Sequence, residues 1–72
     1  MPTIRVELFE GRSVEMKRAL AQEITAAWVR VLGGSADGVG VVFCDIARHD
    51  WASGGVLWSD KAQASPPAAG QL

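Results

Sequence analysis

From Thr3 to Leu8 the chain alternates: Ile4, Val6 and Leu8 fall on one side, Thr3, Arg5 and Glu7 on the other, and Phe9 continues the second series. Period two predicts a strand. Glu10-Gly11-Arg12 ends it. Ser13 is a good helix N-cap, and Glu15 in the first turn complements the helix dipole. The capping box is incomplete, because Met16 stands where Glu or Gln would close it. Apolar residues then recur at Met16, Leu20, Ile24, Ala27, Trp28, Val31 and Leu32, spacings of three and four that form one helical stripe. Gly33-Gly34 supplies a C-cap and Ser35-Ala36-Asp37-Gly38 a turn.

A second apolar run, Val39 to Ile46, is nearly continuous, the pattern of a strand covered on both faces. Strand, long helix and strand in that order predict a single βαβ unit of the α/β class, with parallel strands and a right-handed crossover. Gly54-Gly55, between short apolar pieces, predicts a small C-terminal hairpin reaching onto a neighbour. The remainder, residues 62–72, is Pro/Ala/Gly-rich and without period. It is expected to be a flexible tail behind a domain of residues 1–61.

Composition adds a demand for partners. A chain of 72 residues buries a small share of its surface, and small domains compensate with disulfides, metals or oligomerisation. A single cysteine, Cys44, cannot form an internal disulfide, and a single histidine, His49, has no partner at metal-ligand spacing. With 49% hydrophobic residues and three tryptophans, the apolar excess calls for other copies of the chain. Net charge of −1 and the lack of a basic run argue against nucleic acid. No stretch approaches the roughly 20 apolar residues of a membrane span, and Arg5 and Glu7 interrupt any signal-peptide pattern, so a cytoplasmic protein is expected.

Three segments carry a resemblance. Pro2 follows the initiator methionine directly. Glu10-Gly11-Arg12-Ser13 opens the helix, and Trp51-Ala52-Ser53-Gly54-Gly55 follows the second strand. In this register the sequence resembles the 4-oxalocrotonate tautomerase group of the tautomerase superfamily, from Pro2 to about Lys61. The resemblance implies a protomer that dimerises into a four-stranded sheet, with three dimers forming a homohexamer. It implies Pro2, freed by removal of Met1, as catalytic base, Arg12 as a ligand for a substrate carboxylate, and Trp51 as the wall of an apolar pocket. No cofactor or metal is implied. A neutral amine is an effective base only if its cation is disfavoured, as an apolar pocket and a neighbouring arginine would do.

The chain departs from the pattern at Gly40, where the best-known members carry a second arginine that binds substrate. Arg5, or Arg48 with His49 from a neighbouring subunit, are the candidates to replace it, and a monoacid substrate would need only one arginine. The reading is a cofactor-independent keto–enol tautomerase acting on 2-hydroxy-dienoate or arylenolpyruvate acids, with aromatic catabolism as the family association. Two alternatives remain open. One is a hydratase or dehalogenase of haloacrylate-like acids, for which Ala52-Ser53 lacks the water-activating carboxylate, with Asp45 or Asp50 as substitutes. The other is a non-catalytic or hetero-oligomeric subunit of the same fold. Asp45, Arg48, His49 and Asp50 resemble a proton relay, but a surface turn with local ion pairs explains them as well. Cys44 reads as packing, Trp28 as core or interface, and Trp58 as a subunit contact.

Overall fold

The computed structural model describes residues 2–64, the side chains of 62–64 excepted. Strand β1 runs Thr3–Phe9, helix α1 Val14–Leu32 and strand β2 Gly40–Ile46. The strands pair in parallel from Thr3↔Gly40 to Phe9↔Ile46, the βαβ unit expected from the sequence. The ladder is extended at both ends, by Gly40 N–H donating to the Pro2 carbonyl at 2.8 Å and Glu10 N–H to the Ile46 carbonyl at 3.0 Å. Ser13 caps α1, its Oγ accepting from the Met16 N–H at 3.2 Å. A 3₁₀ turn at Ala36–Gly38, capped by Ser35 Oγ on the Asp37 N–H, leads into β2.

Paired residues of parallel strands project to the same face. One face therefore carries Ile4, Val6 and Leu8 beside Val41, Phe43 and Asp45, and the other Thr3, Arg5, Glu7 and Phe9 beside Gly40, Val42, Cys44 and Ile46. Helix α1 covers the first. Its Lys17 Nζ lies 2.7 Å from Asp45 Oδ2, an ion pair that locks the first turns of the helix over the end of β2.

The helix differs from its predicted stripe in one respect. Ile24, Ala27 and Trp28 are partly covered, but Met16, Leu20, Val31 and Leu32 are exposed, at 57, 40, 73 and 65%. Two strands about 4.8 Å apart make a platform no wider than the helix itself, so the ends and flank of a broad stripe overhang it. The same narrowness leaves β2 covered on one face rather than two, with Val42 45% exposed.

After β2 come a 3₁₀ turn at Arg48–Asp50 and a two-residue hairpin, β3 (Ala52–Ser53) against β4 (Val56–Leu57). Its turn is Gly54-Gly55, both at positive φ (61° and 80°), the hairpin-turn geometry that glycine pairs favour. A second helix, α2, follows at Trp58–Ala64. It is a feature the pattern analysis did not foresee, and it extends into the segment read as a tail; the rest of that segment, 65–72, lies outside the described residues.

Candidate active site

The carboxyl ends of the two strands gather around Phe9. It sits in the outward series of β1 yet is the most buried side chain described, at 6% exposure. Trp51 packs on it with ring centroids 4.6 Å apart at 50°, and Trp58 meets it edge-on at 5.5 Å. The Arg48 guanidinium lies over its ring, 4.5 Å from the centroid. The backbone explains the convergence. Trp51 N–H donates to the Arg48 carbonyl at 3.4 Å across the 3₁₀ turn, and residues three apart on such a turn eclipse one another. Arg48 and Trp51 thus descend on the same ring. Trp58 is tied in by its N–H to the Trp51 carbonyl at 2.8 Å and by Nε1 donating to Ser53 Oγ at 3.2 Å. Lys61 Nζ stands 4.8 Å from the Trp58 ring centroid.

Arg12 leaves the same end of the sheet, three residues beyond Phe9, on the loop before α1. It is partly covered and pairs with no carboxylate among the described residues. Arg48 likewise has the Phe9 ring and no carboxylate as its contact among the described residues.

The amino end is sparse. Pro2 precedes β1 and its carbonyl is held by Gly40 N–H. A Cβ built on Gly40 would meet the Pro2 carbonyl oxygen and Thr3 Oγ1, each at 3.6 Å, ordinary contact distance. The space beside Pro2 is therefore open to a side chain that this sequence does not place there.

Of the residues singled out by sequence, the fold brings Arg48 and Trp51 together and puts Arg12 at their end of the strands. Pro2 stands at the other end, roughly 20 Å away at about 3.3 Å per residue along β1. Arg5 lies between, 66% exposed and paired through Nε with Glu7 Oε2 at 3.2 Å. The four-residue relay is divided: Asp45 faces α1 and takes Lys17, while His49 and Asp50 are exposed, 3.7 Å from each other. Among the described residues no three His, Cys, Asp or Glu side chains converge on one point, and no helix is long and apolar enough to cross a membrane. Sequence reasoning missed Phe9 as the centre of the cluster. The available signal was a large aromatic on an otherwise polar strand face.

The sequence and its βαβ fold match a known family. Residues 2–61 match the tautomerase enzyme family over most of the chain's length. A probable tautomerase of Ralstonia nicotianae is 39% identical over 61 residues, covering 85% of this chain and 94% of that protein. Among solved structures, a 4-oxalocrotonate tautomerase isozyme from Methylibium petroleiphilum superposes with a TM-score of 0.85 at 31% identity, covering 89% of this chain and 100% of that one. TomN, a 4-oxalocrotonate tautomerase homologue of the tomaymycin biosynthetic pathway, gives 0.81 at 36% identity over 92% of this chain and all of its own (100%). The chain belongs to the tautomerase family, a family of isomerases.

Proposed function

We propose that the protein is a cofactor-independent keto–enol tautomerase of 2-hydroxy-dienoate or arylenolpyruvate acids, with Pro2 as its base once Met1 has been removed. The observation that carries this is the position of Pro2 at the head of β1 in a chain of this family, its carbonyl anchored by Gly40 N–H so that its ring nitrogen has a fixed origin. The neutral amine takes the proton of the enol hydroxyl. The oxygen's electrons form the carbonyl, the displaced π electrons reach a carbon of the diene or side chain, and the proton returns there. Arg12 holds a substrate carboxylate through a two-pronged contact, in a diacid the one remote from the enol, and Trp51 keeps water from the intermediate.

Since one chain separates Pro2 from Arg12 and Trp51 by the length of β1, the reading requires a second copy whose strands run the opposite way. The exposed Val42 and the exposed apolar edge of α1 favour such an assembly, a dimer and from it a hexamer. A subunit of a mixed oligomer, receiving an arginine from another chain, is the reading that Gly40 would favour instead. A cytoplasmic setting and a place in the breakdown of aromatic compounds complete the proposal.

The test is ketonisation of 2-hydroxymuconate and of phenylenolpyruvate, followed by ultraviolet absorbance on protein whose intact mass confirms the loss of Met1. Pro2→Ala should lower kcat/KM by about 10²–10⁴-fold, the usual contribution of a positioned base. Wild-type rates equal to buffer on both compounds, or an undiminished Pro2→Ala, would sink the proposal.

A further inference from the structure

Arg5 already pairs with Glu7 and Lys17 with Asp45, whereas Arg48 rests on the face of Phe9 with no carboxylate among the described residues. A guanidinium over an aromatic ring keeps the N–H donors at its edge available and surrenders less conformational freedom when a second group binds. The ring it rests on is the ring Trp51 rests on, and the 3₁₀ turn fixes the two side chains in step. Arg48 is thus a preorganised, uncommitted cation beside the proposed apolar wall. The side chain at position 40, at the opposite end of the ladder, is absent.

We infer that Arg48 is a second anion ligand of the site, gripping the carboxylate and enol oxygen of the substrate and stabilising the negative charge that gathers there as Pro2 takes the proton. The assignment rests on the tautomerase reading and decides between Arg5 and Arg48. Charge on the enolate oxygen is present in every substrate of the class, so Arg48 acts on turnover with monoacid and diacid alike. Arg12, as ligand of a further carboxylate, acts chiefly on the diacid.

Three variants and two readouts test it. Arg48→Gln should lower kcat on the order of 10²-fold with both phenylenolpyruvate and 2-hydroxymuconate, the scale of losing one oxyanion donor. Arg48→Lys, which keeps charge but loses the planar fork, should recover part of that loss. Arg18→Gln, an equal charge change on the exposed side of α1, should leave both rates within about twofold. The second readout needs no turnover: muconate, which has no enol, should bind Arg48→Gln about tenfold more weakly by tryptophan fluorescence. A change of less than about twofold in both readouts, a change in KM alone, or losses that follow a fallen melting temperature or oligomeric mass would overturn the inference. If Pro2→Ala remains active while muconate binding still depends on Arg48, the tautomerase reading fails and the anion site stands.

Discussion

The two ends of the parallel strand pair have little in common. At the amino end stand a proline, a threonine and a glycine, tied by one backbone hydrogen bond at 2.8 Å and without a charged side chain. At the carboxyl end three aromatic rings and a guanidinium close on one another within 4.5–5.5 Å of centroid separation, with Arg12 on the adjoining loop. In antiparallel hairpins a strand's beginning meets its partner's end, and both chemistries would share one locality. A parallel pair cannot do that, because its crossover helix brings like ends together. On the proposed reading, the protomer therefore holds a base without a pocket and a pocket without a base.

The sharpest way to break this contrast is to mix chains. Pro2→Ala and Arg12→Ala proteins, each impaired alone on 2-hydroxymuconate, should regain activity on that diacid when refolded together. Each mixed dimer of an isologous pair carries one intact site, so roughly a quarter of all sites are restored at equal proportions. No recovery in the mixture, with exchange verified by native mass spectrometry, would mean that the site lies within one chain.

The carboxyl end also holds the most buried side chain among the described residues. Phe9→Ala should destabilise the protein by about 3–5 kcal/mol in urea unfolding at fixed protein concentration, since it removes the ring on which Trp51, Trp58 and Arg48 all rest. A comparable loss from Thr3→Ala at the amino end would erase the distinction. Smallest is the Lys17–Asp45 pair, partly exposed at 23 and 43% of its side chains. Lys17→Ala should cost no more than about 1 kcal/mol, and the cost should shrink as salt is added.

What the sequence made legible were features written in neighbouring residues. Alternation located β1, Ser13 the start of α1, and Gly54-Gly55 the hairpin, because strand pleat, caps and turns depend on residues a few positions apart. The resemblance likewise pointed to the family through short motifs in fixed register. Phe9 was not legible, since the rings covering it arrive more than forty positions later, from Trp51 and Trp58. Helix α2 was hidden in a short segment with no full apolar period, running into a Pro/Ala-rich stretch. The choice between Arg5 and Arg48 was equally beyond pattern: both are single charges in the sequence, and only geometry shows that one has a carboxylate and the other a ring.

Gly40 carries a last consequence. Its φ lies outside the left-handed region, and a side chain there would begin at 3.6 Å from its nearest neighbours, so the packing of the protomer does not demand glycine. Every glycine codon lies a single base from an arginine codon. The second arginine typical of the family is therefore one mutational step away, with no obstacle from the backbone. Position 40 is a natural starting point for laboratory evolution toward new substrates.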